Sequence, residues 1–159
     1  MKRLIGSYIN QLENVMDGDI WVGDTFKCKL ENISGSNAFT RPIEEMHSVA
    51  EIISHLIVWR ESVMSVFLTG LRSVDLDSPH NWKTNEELEK VGWEKLVDRF
   101  YSSQKEIVTF LLAKDDEWLI EMNLHGKHNY DYYVVGLIQH DLYHLGQVGI
   151  IKKFLFLSK

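Results

Sequence analysis

Apolar residues recur at intervals of three and four along most of this chain, which predicts amphipathic helices. From about Lys2 to Met16 the stripe is Leu4, Ile5, Tyr8, Leu12 and Val15, and Asp17, Gly18 and Asp19 end it. A short helix is expected around Thr25–Glu31, and Ser34 to Asn37 with Pro42 marks a loop. The second long helix has a sequence start signal. Ser48 followed three residues later by Glu51 forms a capping box, in which each side chain satisfies an orphan backbone donor of the first turn. That helix carries Ile52, Leu56, Trp59, Val63 and Phe67 inward as far as about Leu68, and Gly70 closes it. Residues 71–83 are polar, contain Pro79 and read as a connection. A second capping box, Thr84 with Glu87, opens a helix to about Ala113 with Leu88, Leu96, Phe100 and Ile107 on its stripe. Residues 114–129 look irregular, and Asn129 is placed to cap a last helix from Tyr130 to about Leu157.

No convincing pair of strands and no internal repeat accompanies these helices. The pattern therefore predicts an all-α fold, a four-helix bundle with a short extra helix after the first. The connection between the second and third long helices is long enough to cross the bundle.

At 159 residues the chain fits one domain spanning 1–159, since domains run to about 100–200 residues. A net charge of −6 argues against nucleic acid as a partner, because that needs a clustered basic face, and beyond the basic start at Lys2 and Arg3 only Lys152 and Lys153 stand together. The single cysteine, Cys28, excludes an internal disulfide framework and any multi-cysteine zinc site; it reads as a small buried hydrophobe. The N-terminus has a basic start but turns polar at Asn10, Gln11 and Glu13, so it reads as a helix and not a signal peptide. No stretch looks like the roughly 20 apolar residues of a membrane span. A cytoplasmic protein without a membrane partner is the expectation.

His140 and His144 carry the most suggestive chemistry. On a helix, side chains at i and i+4 stand on one face with Cβ atoms about 5–6 Å apart, so both imidazoles can reach one ion. Gly136, one turn earlier, leaves space beside them, and Tyr143 and Gln147 continue that face in polar form. The same spacing also fits two ordinary histidines on an amphipathic helix. The residue after His140 is Asp141, so the HExxH zinc-protease pattern is absent, and the paired Glu-x-x-His motifs of di-metal bundles are absent too. His55 lies between Ile52 and Trp59 near the bundle-facing edge of the second helix, either as a further ligand or as a core histidine bonded to a carbonyl.

Three blocks go further: Asp19 to Gly23; Arg41 and Pro42 followed by His47 to Arg60; and Gly136 to Gln147. In order and spacing they resemble the DinB-like (YfiT-like) superfamily, over nearly the whole chain. The resemblance implies a four-helix bundle with a crossover between the middle helices. It also implies a divalent ion held by one histidine of the second helix and an HxxxH of the last, here His55, His140 and His144. Zinc is the default and nickel the near alternative, since imidazole suits both.

Three neutral imidazoles leave an ion its full charge and an open position, the arrangement of catalytic sites. The resemblance favours a metal-dependent transferase acting on a small-molecule substrate through a low-molecular-weight thiol, with hydrolysis by activated water using the same ligands. A metal-binding stress or accessory protein without turnover is the alternative. A homodimer is also expected from helical relatives. Candidates for catalytic help are Tyr143, Gln147 and His47, although His47 reads more simply as a surface residue. Glu51 is explained by the capping box, and Asp141, about 100° off the ligand face, is expected in solvent. His125 and His128 could flank the opening, and Trp21 and Trp59 could wall a pocket or belong to the core. The substrate region is expected from residues 17–41 and 114–129.

Overall fold

The computed structural model describes residues 2–157, and its elements are all helical: α1 (Arg3–Asp17), α2 (Phe26–Leu30), α3 (Gly35–Ala38), α4 (Val49–Thr69), α5 (Asn85–Val91), α6 (Trp93–Leu112), α7 (Asp116–Ile120) and α8 (Tyr130–Leu157). The long helices α1, α4, α6 and α8 form the bundle, with α4 and α1 each packed on both α6 and α8.

Both capping boxes form. Ser48 Oγ accepts from the Glu51 N–H while Glu51 Oε2 accepts from the Ser48 N–H, and Thr84 and Glu87 repeat the arrangement. Gly70 ends α4 with φ +79°, a left-handed conformation that side chains with a Cβ resist. Asn129 Oδ1 accepts from the Tyr132 N–H at the start of α8. The first helix is capped from a distance: the Asp116 carboxylate accepts from the N–H groups of Arg3, Leu4 and Ile5 at 2.9–3.0 Å. Asp116 opens α7, inside the stretch expected to be irregular, and Asp115 caps that short helix. The single helix expected over 84–113 is two, because Gly92 at φ +90° breaks it between α5 and α6.

The core has two apolar clusters. One gathers Val15 and Met16 of α1, Ile53 and Leu56 of α4, Leu96 and Phe100 of α6 and Leu145 and Val148 of α8. The other gathers Ile5 and Leu12, Val66 and Phe67, Ile107 and Leu111, and Val134 and Leu137 of the same four helices. The order of these residues along each helix fixes direction. Helices α4 and α6 both run from the first cluster to the second, whereas α1 and α8 run the other way. Two consecutive parallel helices require the chain to travel back along the bundle, so residues 71–84 are a crossover.

Between the clusters lies a polar waist, with His55, Arg60 and Ser62 on α4 and His140, Asp141 and His144 on α8. Helix α4 is long and apolar enough to cross a membrane by length and composition, with a mean hydropathy of 1.3 over its most apolar stretch. Two-thirds of that stretch (67%) is buried inside the bundle, and the helix carries Glu51, His55 and Arg60 with partners, so it is a core helix.

Candidate metal centre

His55 of α4 and His140 and His144 of α8 converge at the waist. His140 Nε2 lies 3.1 Å from His55 Nε2 and 3.0 Å from His144 Nε2. These three are the histidines positioned to hold a metal ion among the described residues.

The outer nitrogens decide what the inner ones are. His55 Nδ1 lies 3.1 Å from the Asn81 carbonyl oxygen, and His144 Nδ1 lies 2.6 Å from Gln147 Oε1. The Asn81 backbone carbonyl only accepts, so His55 Nδ1 carries the proton and its Nε2 presents a lone pair; with Gln147 Oε1 as its partner, His144 takes the same tautomer. His140 Nε2 sits between those lone pairs and can donate one hydrogen at most. At least one inward nitrogen is left facing another without a proton between them. A cation relieves that repulsion. Three nitrogens about 2.0–2.1 Å from one ion, with angles of about 90–110° at the ion, lie about 2.9–3.4 Å apart; both separations from His140 fall in that range, and all three ligand atoms lie within 4.8 Å of one another.

Electrostatics keeps the rings neutral, the form that binds metal. Burial lowers His55 to about 4, aided by His144 and opposed by the bond to Asn81. Burial and the neighbouring His144 and His55 bring His140 to about 3. His144 is lowered by burial too, against the effect of Gln147.

The crossover delivers the supports for His55. Asn81 gives its carbonyl to His55, its side-chain oxygen to Trp59 Nε1 (2.8 Å) and its amide N–H to the Leu76 carbonyl (3.0 Å). Trp82 stacks on the His55 ring at 3.9 Å, nearly parallel, and His47 stacks on the opposite indole face at 3.7 Å. His47 is thus half-buried, separated from the centre by the indole, with its Nδ1 3.6 Å from Glu51 Oε2, too far to bond. Burial lowers the His47 pKa. Glu51 is buried, which pushes its carboxyl up, but hydrogen bonds from Arg41 and the Ser48 N–H bring it below its ordinary value.

Asp141 corrects the sequence expectation. It is not in solvent: it is fully buried, and both its oxygens lie 2.9 Å from Arg60 Nη2. The Arg60 guanidinium also donates to the Phe100 carbonyl and lies over the Phe100 ring. The face of α8 turned about 100° from the histidines packs inside the bundle, and burial pushes the Asp141 carboxyl up while Arg60 pulls against it.

A cavity of about 800 Å³ opens beside His55 and His140, walled by Trp59, Leu137 and Tyr133, with Gly136 on its wall as the open helix face required. Of the segments expected to form the substrate region, 114–129 contributes Met122 and Lys127 to Asn129, and 17–41 contributes nothing. His128 lies on the rim, stacked on Tyr132 at 3.8 Å; His125 lies beside Gly70 and does not line it. Tyr143 is exposed with its ring 4.9 Å from that of His144, and neither Tyr143, Gln147 nor His47 lines the cavity. Trp21 is fully exposed, and Cys28, which was expected in the core, is exposed too: α2 turns Phe26 and Leu30 inward instead. Periodicity missed Asn81, Trp82, Arg60 and Arg72. The pair Asn81–Trp82 in a polar connection was the one visible signal, a large aromatic with no helix stripe to join.

A crossover helical bundle whose second and last long helices bring three histidines to one point defines a class of protein built around a buried imidazole cluster. The chain belongs to the DinB superfamily, which it matches over residues 24–148. None of the curated proteins matches it. Among solved structures it is similar to a conserved protein from Enterococcus faecalis, with a TM-score of 0.73, 19% identity and coverage of 100% of this chain and 99% of that one. It is also similar to the colibactin self-resistance protein ClbS, crystallised in complex with double-stranded DNA, with a TM-score of 0.60, 18% identity and coverage of 94% and 91%. That complex corrects the exclusion of nucleic acid drawn from net charge. A protein of this fold is found on DNA, and an overall charge of −6 describes the whole surface and not the part that meets a ligand.

Proposed function

We infer that this chain is a divalent-metal protein with His55, His140 and His144 as ligands, and that it is an enzyme activating a thiol or water in the adjoining cavity, in the manner of an S-transferase or a hydrolase. One observation carries the reading: two inward lone pairs fixed by Asn81 and Gln147, with His140 between them and a cavity at their side. A bound divalent ion would lower the pKa of a thiol or water that reaches its open position. Zinc is the first choice and nickel the second. The chain's own part is to orient the rings through Asn81, Trp82 and Gln147, keep them unprotonated by burial, and exclude bulk water with Trp59 and Leu137.

The test begins with elemental mass spectrometry of untagged protein beside His140→Ala. Stoichiometric metal in the first and almost none in the second supports the site. No metal after incubation with zinc or nickel sinks it. A screen of thiols with electrophilic acceptors, and of hydrolysable esters, then separates an enzyme from a metal-binding accessory protein without turnover. The DNA complex of ClbS motivates a second reading, in which the group acted on is carried by nucleic acid. A mobility-shift titration with duplex DNA at two salt concentrations tests it, and no shift at low salt would end it.

A further inference from the structure

Arg72 stands apart from the arginines that hold carboxylates. Arg41 pairs with Glu51, Arg60 with Asp141, and Arg99 with Glu61 and Glu106. Among the described residues Arg72 has no carboxylate within ion-pairing distance, although it lines the cavity beside His140. Its guanidinium lies over two aromatic rings, 6.0 Å from the centre of Trp59 and 5.7 Å from that of Tyr133. The backbone beneath it is pinned as well: Ser62 Oγ, buried in α4, accepts from the N–H groups of Ser73 and Val74 at 3.2 and 3.3 Å. An exposed arginine normally loses side-chain freedom when it binds an anion. Here rings on two helices and an anchored loop have already restricted it.

The rest of the cavity defines what such a guanidinium would meet. Lys127 adds a second positive charge at the rim, and Asp131 a negative one that already accepts the Tyr8 hydroxyl at 2.8 Å. Two cations against one anion suit a singly charged head. Trp59, Leu76, Tyr132 and Leu137 make much of the remaining wall apolar and aromatic, with Asn129 and Gln139 among its uncharged polar groups.

We propose that Arg72 is a specificity residue that grips the carboxylate of an organic acid whose apolar or aromatic body fills this cavity and whose other end reaches the three-histidine centre. The planar guanidinium matches a carboxylate with two parallel hydrogen bonds, a geometry the Lys127 ammonium lacks. The placing of the substrate's reactive end rests on the metal reading above. The carboxylate grip does not, so the two can fail separately.

The experiment is ligand-observed NMR titration of 3-phenylpropionate, its neutral amide 3-phenylpropanamide, and benzyl phosphate. Each is titrated into the protein as purified and into the same protein after chelation. The carboxylate should bind about tenfold more tightly than the amide, as one charge-assisted contact implies, with or without metal. Arg72→Met, which keeps the apolar stem of an exposed residue, should erase that preference chiefly by weakening the acid. Arg72→Lys should restore only part of it. Equal affinity for acid and amide, an unchanged preference in Arg72→Met, tighter binding of benzyl phosphate than of the acid, or no binding of any probe would each overturn the proposal. Loss of the preference only after chelation would do so too, since the anion would then sit on the metal and not on Arg72.

Discussion

Two polar clusters are buried side by side at the waist of this bundle, both bridging α4 and α8, and they differ in whether they are electrostatically complete. Arg60 and Asp141 satisfy one another: opposite charges meet at 2.9 Å, and the guanidinium has the Phe100 carbonyl and ring as further partners. His55 and His144 turn outer N–H groups to carbonyl oxygens, and their inner lone pairs face His140 Nε2. The first cluster is balanced in charge, with the Arg60 Nε–H alone left without an acceptor, whereas the second lacks a cation. Adjacent residues on one helix, Asp141 and His140, thus belong to a finished structural contact and to an unfinished binding site. Burial alone does not separate structure from function; whether charges and lone pairs find an opposite does.

The largest expected effect lies on the incomplete side. Replacing His55, His140 or His144 by alanine should abolish stoichiometric metal binding while far-UV circular dichroism stays that of the native bundle. Full retention of metal by any one variant, measured by elemental mass spectrometry, removes that residue from the ligand set.

The complete cluster should respond in the opposite way. Asp141→Asn leaves the Arg60 charge buried without its partner, which costs about 3–5 kcal/mol of unfolding free energy in denaturant titration. The double change Arg60→Met with Asp141→Leu should recover most of that loss, because paired removal strands no charge. Metal content of the double variant should remain near native. If the double variant is as unstable as the single one, the pair does more than neutralise itself.

Acid separates the clusters again. Burial depresses His55 to about 4 and His140 to about 3, below the ~6.5 of an unfolded histidine. Between those values the unfolded chain binds more protons than the folded one, so stability falls as pH drops from about 6.5 toward 4. Metal-free protein should therefore melt at progressively lower temperature across that window, and His55→Ala should show a shallower decline. A metal-loaded sample should hold its melting temperature to lower pH, since protons then compete with the ion. A flat profile from pH 7 to 4 in the metal-free protein would mean the histidines are not held neutral.

A smaller effect is expected from Gln147→Leu, which removes the acceptor fixing the His144 tautomer and should weaken metal affinity by about 10–100-fold in a chelator competition. Unchanged affinity would show that packing alone orients His144.

Much of the fold was legible before any coordinates. The two capping boxes, the Gly70 stop and the Asn129 cap are local chemistry, decided within a turn of helix, and all four formed. Two sites hidden from periodicity depended on distance. Asn81 reaches His55 across 26 positions only because the crossover runs back past α4, and no local signal encodes that path. Asp141 was misplaced because a single buried stripe was assumed for α8, a helix that α1, α2, α4 and α7 surround. The Gly92 break, likewise, rests on a positive φ that an uninterrupted apolar stripe conceals. The histidine trio could be named from its resemblance to a family, but its geometry, and the tautomers that give it meaning, came from the folded chain.

The smallest effect sharpens the comparison most, because His47 lies at the edge of the incomplete cluster without joining it. Its ring is parallel to Trp82 at 3.7 Å, and Trp82 lies parallel to His55 at 3.9 Å, so His47 can reach the centre only through an indole. Asn81 continues to orient His55 when His47 is absent. His47→Ala should therefore leave metal affinity within about twofold of native, well short of the ~10–100-fold expected where a ligand's own hydrogen-bond partner is lost. Trp82→Ala should weaken it more, because the stacked face of His55 is then exposed to water. If His47→Ala empties the site as fully as His144→Ala, the indole does not separate them in solution, and His47 takes the place of one of the three histidines.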